Sequence, residues 1–320
     1  MITTALYAWC NHDLEIHLRN TATLIMCPNG LKRRKSYEKV DIEKLGREIT
    51  TVINRLSTIT GTDAKSVHAA LAMSAYLHDI GKALSNYQEE FEKCGDRESE
   101  ISLRGHEIWS AWVAHRVFQS LSTLKVLNVD PAPYVIGVAL HHSARRSIID
   151  ALTQVRAYPK SNDVEEITKL LKHIEDVCGG VLKVDYDYVK AALDYDMRTS
   201  IKAAIDGMIQ QLMGKSISKY GELVTYVISI ADDVDSWVYR KGFTPIIIKN
   251  QGLTIFLCLN ISCTLTFKIK ISRPHSNQFP FQSSLKNRKY FAFPRNLVNT
   301  IPPLIEPGRP MRLIVVPEPV

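Results

Sequence analysis

Between Asp41 and Leu56 the apolar residues Ile42, Leu45, Ile49, Val52, Ile53 and Leu56 recur at the three- and four-residue intervals of one face of an amphipathic helix. Gly61-Thr62-Asp63 then supplies a stop and a fresh N-cap. The next helix runs through Val67, Ala70, Leu71, Ser74 and Ala75 to His78. Its small residues, Ala69, Ala70, Ala72, Ser74 and Ala75, allow close helix approach and suit a buried central position. An earlier helix is expected over Asn11–Thr21. A later one opens at Gly105-His106-Glu107 and carries Ile108, Trp109, Trp112, Val113, Val117 and Phe118. Asp130-Pro131-Ala132-Pro133 fits a helix start before the apolar run Tyr134–Leu140. Helical periodicity continues over 163–177, 186–213 and 223–237.

Beyond Gly242 the period changes. Residues 244–249 and 253–272 have the Ile, Thr, Phe and Leu content of strands, with Asn250-Gln251-Gly252 as a hairpin turn between them, and Arg312–Val316 reads as a last strand. The pattern therefore predicts a mainly α chain: a helical bundle over 1–240, followed by a small β-rich extension over 241–320 in which no chemistry is visible.

Composition adds bounds. The 320 residues are 45% hydrophobic and 23% charged, ordinary for a globular protein with a sizeable core. The net charge of +7 is uneven. Residues 241–320 hold 11 Lys and Arg against Glu306 and Glu318 alone, which leaves 29 basic and 31 acidic residues before them. A basic C-terminal part suits a polyanionic partner or an acidic protein neighbour. The cluster Lys32-Arg33-Arg34-Lys35, after the turn Pro28-Asn29-Gly30, reads as a solvated loop. Six cysteines form no CxxC pair, so free thiols are expected. The N-terminus lacks a basic segment leading into a long apolar run, and the run Leu253–Phe267 is interrupted and shorter than the ~20 residues of a membrane span. A cytoplasmic protein without a membrane partner is expected.

Candidate chemistry begins at Leu77-His78-Asp79-Ile80-Gly81-Lys82. Imidazole and carboxylate side by side are good ligands for a divalent metal, and aspartate can bridge two ions. Gly81 is expected to let the chain turn sharply so that Lys82 swings back toward the site. His68 lies almost three turns earlier, too far to share an ion with His78. His106, just after a glycine, can reach inward, with a local cap as the alternative; His115 reads as surface or core. His141 and His142 follow an apolar helix, repeating the delivery of polar groups at a helix end. In Ala231-Asp232-Asp233-Val234-Asp235-Ser236 the best last ligand is Asp232, with Asp233 or Asp235 as alternatives for which a water-facing helix end is favoured. His12 and His17, five apart, fall on different faces of a helix and are not expected to share an ion. Gly214-Lys215-Ser216 lacks the Walker glycine, since Ile209 stands five residues earlier, so no ATP site is expected there.

His17 within LEIHLRNT, HDIGK, GHEIWSA, ALHHS and ADDVDS, in that order, resemble the HD superfamily of metal-dependent phosphohydrolases, and specifically the stand-alone HD nuclease of type I CRISPR interference. The resemblance covers about residues 1 to 240. Asp233 and Asp235 depart from the less acidic AD-x-x-A-S of that group, which leaves Asp232 open against Asp233. The resemblance implies an HD-domain bundle in which His17, His78, Asp79 and Asp232 surround one metal while Asp79, His106, His141 and His142 hold a second. Lys82 would add fixed positive charge at the phosphate. Histidine-rich ligation favours manganese, iron, cobalt or nickel over magnesium. The implied activity is metal-dependent endo- or exonuclease hydrolysis of DNA phosphodiesters, single strands preferred, in antiviral defence. The implied partners are a separate superfamily 2 helicase subunit and an RNA-guided surveillance complex. Two rivals stand beside it: an HD phosphohydrolase acting on a dNTP or cyclic nucleotide, which would need a closed base-recognising pocket, and an interaction subunit with a vestigial site.

Overall fold

A computed structural model of the chain describes residues 6–95, 101–123, 127–142, 155, 158–180, 182–213 and 218–239, together with four strands beyond residue 240. The chain divides into two compact units, Met1–Arg240 and Lys241–Val320.

The first unit opens with a short antiparallel pair, β1 (Tyr7–Trp9) and β2 (His12–Asp13), turned by Asn11 at φ +61°. Asp13 caps α1 (Leu14–Met26) by accepting from the Ile16 N–H. Then follow α2 (Ile42–Thr60), α3 (Ala64–Leu77), α4 (Ser85–Glu90), α5 (His106–Thr123), α6 (Ala132–Leu140), α7 (Ser161–Lys172), α8 (Tyr186–Thr199), α9 (Ile201–Met213) and α10 (Ser218–Tyr239). The break between α2 and α3 lies where the pattern puts it: Gly61 ends α2 at φ +67° and Asp63 caps α3 through the Ser66 N–H. The continuous helical pattern over 186–213 is in fact two helices. Ser200 is extended, at φ −165°, ψ +103°, and its hydroxyl accepts from the Ala203 N–H, so it caps α9.

α3 is the central helix, touched by α1, α2, α5, α6 and α10. Ala70, Ala72, Ser74 and Ala75 on it are fully buried, as close approach by several neighbours requires. A further tie crosses the bundle. Asp196 of α8 accepts from Trp112 Nε1 at 2.7 Å and from Arg116 at 2.8 and 2.5 Å, joining α8 to α5. The expectation of free thiols fails for four of the six cysteines. Cys10 is bonded to Cys94, and Cys27 to Cys178. The first disulfide fastens the β1–β2 turn to the segment after α4, and the second the end of α1 to the turn after α7.

In the second unit β3 (Pro245–Asn250) pairs antiparallel with β4 (Leu253–Cys258), β4 with β5 (Thr264–Lys268), and β5 runs parallel to β6 (Arg312–Val316). The register Asn250↔Leu253 matches a two-residue hairpin link, of which Gln251 and Gly252 lie outside the described residues, as do Gly214-Lys215-Ser216. No helix among the described residues is long and apolar enough to cross a membrane.

Candidate metal centre

The ends of helices deliver most of the polar groups at the middle of the first unit. His78 is the C-cap of α3 and Asp79 opens the 3-10 turn Ile80–Ala83. His106 is the first residue of α5, reached through Gly105 at φ +90°, a conformation that excludes most side chains. His141 caps α6 and His142 follows. Asp232 projects from α10 and His17 from α1. Gly81 acts differently from the expected sharp turn, since its φ is not positive. A Cβ there would lie 2.3 Å from His106 O and 2.7 Å from Ser110 N, so glycine lets the turn after α3 press onto α5. Its N–H donates to Ser110 Oγ at 2.9 Å. A Cβ on Gly137 would lie 2.4 Å from Val224 Cγ1, and one on Gly221 2.8 Å from Ile136 Cγ2; this pair brings α6 against α10, and with it His141 toward Asp232.

Asp79 is fully buried and its two oxygens face different donors. Oδ1 lies 2.9 Å from His106 Nε2, 3.3 Å from His141 Nε2 and 3.6 Å from His142 Nε2. Oδ2 lies 3.3 Å from His17 Nε2, 3.4 Å from His78 Nε2 and 2.5 Å from Lys82 Nζ. Asp232 Oδ1 closes the second half at 3.3 Å from His17 Nε2 and 3.6 Å from His78 Nε2. Each of the sets Asp79, His106, His141, His142 and His17, His78, Asp79, Asp232 offers ligand atoms within 4.8 Å of one another. The ring orientations are held from behind. His78 Nδ1 donates to Ala75 O at 2.7 Å, His106 Nδ1 to Leu103 O at 2.5 Å and His141 Nδ1 to Val138 O at 2.7 Å. Each Nε2 lone pair is thereby turned inward. Ser236 Oγ donates to Asp232 Oδ1 at 3.1 Å, and Ser229 Oγ to His141 O at 2.6 Å.

The two halves differ in charge. Burial opposes ionisation of Asp79, yet Lys82, His78 and the contacts from His106 and His141 outweigh it and hold its carboxyl well below the usual range. Burial likewise opposes the charge on Asp232, and His17 and His78 overcome it. Burial lowers His141, and burial followed by the neighbouring His141 lowers His142, so both are neutral near pH 7. Burial opposes protonation of His17 and His78 too, but Asp79 and Asp232, with Asp235 for His17, raise His17 well above its ordinary value and His78 to about 8. His17 Nε2 and His78 Nε2 face each other at 3.2 Å. Two inward nitrogens beside two carboxylates are a setting that a proton or a metal cation can fill, so the donor chemistry fits a divalent ion.

The Cas3 HD-domain profile matches residues 42–210, more than half of the chain. The chain belongs to the Cas3 HD-domain family. It is thus a CRISPR-associated domain of the HD hydrolase type, and HD domains are metal-dependent. His17 and Asp232 fall outside the span matched to the Cas3 HD domain, so their place here rests on geometry. Among solved structures, the CRISPR-associated Cas3 HD domain protein MJ0384 from Methanocaldococcus jannaschii is similar over 72% of this chain and 99% of that one, at 16% identity and a TM-score of 0.38. No curated protein matches the chain.

All eight residues singled out from the sequence, His17, His78, Asp79, Lys82, His106, His141, His142 and Asp232, meet in this one place. Lys82 is 5% exposed and its ammonium is committed to Asp79. His68 bonds to Ile25 O, and His115 is buried beside Gln119, so both stay outside the cluster. Two expectations are corrected. The premise that His12 and His17 lie on different faces of one helix fails, because His12 stands on β2 before α1 begins, and the two rings come together with centroids 5.0 Å apart. Asp235 faces no water: it is fully buried, 2.7 Å from His17 Nδ1, and accepts from Tyr37 Oη. The available signal was its place three residues after Asp232, on the same helix face. Tyr37 carries no such signal in the sequence.

Proposed function

We propose that the chain is a metal-dependent nuclease that hydrolyses DNA phosphodiesters, single strands preferred, in type I CRISPR interference. The observation that carries the reading is the division of Asp79: one oxygen serves three histidines and the other serves two histidines and Lys82. That is the shape of a carboxylate shared by two ions. His17, His78, Asp79 and Asp232 would hold one, and Asp79, His106, His141 and His142 the other, with manganese, iron, cobalt or nickel favoured by the five imidazoles and magnesium disfavoured. When bound, such ions supply Lewis acidity to phosphate oxygens and lower the pKa of water.

The chain's own residues do the rest. Backbone carbonyls behind His78, His106 and His141 fix the rings before substrate arrives, which spares reorganisation at the moment of reaction. Lys82 holds Asp79 ionised and in place, and adds positive charge where a phosphate would approach. His142, with 29% of its side chain exposed, is the donor closest to solvent and marks the side on which a strand reaches the site. The basic residues of 241–320 would bind strand backbone or a helicase subunit, and the site of action would be the cytoplasm.

The test is cleavage of end-labelled single-stranded DNA by the metal-stripped chain, resupplied with manganese, nickel, cobalt or magnesium, beside Asp79→Ala. Metal-restored cutting abolished by the substitution is the expected result. Phosphate release from free nucleotides without strand cleavage would replace this reading with a small-nucleotide phosphohydrolase.

A further inference from the structure

His17 differs from the other inward-facing histidines in what stands behind it. His78 and His141 follow the last turns of α3 and α6, where carbonyls lack helical partners and Ala75 O and Val138 O are free to accept. Leu103 O, behind His106, precedes its helix. His17 lies inside α1, where the carbonyls one turn back are engaged by the helix itself, so an acceptor must come from elsewhere in the chain. It comes from α10: Asp235 Oδ2 is 2.7 Å from His17 Nδ1. A carboxylate can only accept, so Nδ1 carries the proton and Nε2 turns to Asp79 and Asp232. Asp235 is held in turn. Tyr37 Oη donates to Oδ1, and His12 Nε2 lies 3.2 Å from Oδ2 with its ring stacked on Tyr239, centroids 4.4 Å apart.

Resting on the metal-dependent reading above, we propose that Asp235 and Tyr37 are positioning residues that aim His17 at one of the two ions and leave the other untouched. His12, His17 and Asp235 also satisfy the spacing of a third metal set. The contacts favour a relay: His17 Nδ1 and Asp235 Oδ2 are at hydrogen-bond distance, and Oδ1 already accepts from Tyr37. An ion there would need the lone pair of Nδ1 while Nε2 serves the neighbouring set.

The experiment is titration of the metal-stripped full chain with Co²⁺, following the visible spectrum and stoichiometry, with circular dichroism to check the fold. Wild type is expected to bind two ions, and His17→Ala to identify the one that depends on α1. Asp235→Asn keeps an acceptor but loses the charge, and should weaken that ion about tenfold; Asp235→Ala should weaken it nearer to 100-fold. Tyr37→Phe, which preserves volume, should weaken the same ion by less than Asp235→Ala and shift its spectrum. In all three the second ion should bind as in wild type, a selectivity that general loosening would not produce. Folded Asp235→Asn and Tyr37→Phe proteins that bind both ions as wild type does would overturn the proposal while leaving the metal-dependent reading intact. Three ions in wild type and two in Asp235→Asn would make Asp235 a ligand and also overturn it. A wild-type chain that binds no divalent ion would remove the proposal and the reading together.

Discussion

Gly81→Ala tests whether this glycine serves packing, as the structure indicates, or a turn. The added methyl would stand 2.3 Å from a carbonyl oxygen and 2.7 Å from an amide nitrogen of α5, main-chain atoms that cannot rotate aside. Forcing the turn and α5 apart costs ~1–3 kcal/mol as overpacking. Loss of the Gly81 N–H to Ser110 Oγ bond costs about 1 kcal/mol more. Reduced freedom of the unfolded chain offsets roughly 0.4–1 kcal/mol. The net is a destabilisation of about 1–4 kcal/mol, or a melting temperature lowered by about 2–14 °C for a unit of this size. Gly207→Ala is the control. Gly207 lies in α9 with no heavy atom within 4 Å of the added Cβ, so the same change should stabilise by about 0.5–1 kcal/mol. Calorimetry of the three proteins reads the sign directly. Because Gly81 lies between Asp79 and the His106 carbonyl, strand cleavage should also fall about 100-fold in Gly81→Ala through misplacement of the ligands. A Gly81→Ala protein as stable as Gly207→Ala and fully active would refute the packing argument.

Three further outcomes are expected. In the metal-free chain, the raised His78 contributes stability that is complete below pH 6.5 and lost as pH rises through about 8, and the raised His17 acts in the same direction, while Asp79 and Asp232 contribute stability lost as pH falls below 3.8. Its melting temperature should therefore decline between pH 6.5 and 8, whereas the increment given by added Co²⁺ should grow over that interval as His78 loses its competing proton; parallel curves would contradict the charge pattern. Non-reducing peptide mapping should recover the Cys10–Cys94 and Cys27–Cys178 links, and reduction should lower thermal stability by up to about 4–5 kcal/mol per link; recovery of only free thiols at these four positions would instead restore the expectation drawn from spacing. Asp196→Ala leaves Trp112 Nε1 and the partly buried Arg116 without their acceptor, so it should destabilise by about 3 kcal/mol while Co²⁺ stoichiometry stays unchanged; an altered stoichiometry would mean that the α5–α8 tie reaches the metal centre.

The parts of this molecule legible in the sequence were those encoded over a few residues. Periodicity placed α2 and α3, the glycine and aspartate between them marked the break, and His78-Asp79, His106 and His141-His142 were found because each stands at a helix end. What escaped depends on distant contacts or on irregular backbone. Asn11 at φ +61° turns the chain so that His12 lies on a strand, which no helical-face argument could anticipate. Gly81 is required by α5, some 25 residues further on, and not by its own dihedral angles. Cys10 and Cys27 find partners 84 and 151 residues away, separations over which spacing carries no information.

Asp235 shows how a contact made across the fold escapes a reading of local motifs. An imidazole at a helix end finds its acceptor within its own segment, as His78 and His141 do, so the motif around it encodes both the imidazole and its orientation. An imidazole inside a helix has no free carbonyl within reach of its own backbone. His17 must therefore draw a partner from another part of the chain, and the residue that answers is 218 positions away. The same accounting can be turned on any histidine placed in a helix interior and proposed as a ligand: its outer nitrogen needs an acceptor, and a buried acid on a neighbouring helix is the first place to look. Here that acid follows Asp232 by three residues, so one face of α10 supplies both Asp232 beside His17 Nε2 and the carboxylate that orients the same ring. A shift of α10 against α1 would disturb ligand and orienting group at once, which is why the close α6–α10 contact through Gly137 and Gly221 matters to the chemistry as well as to the fold.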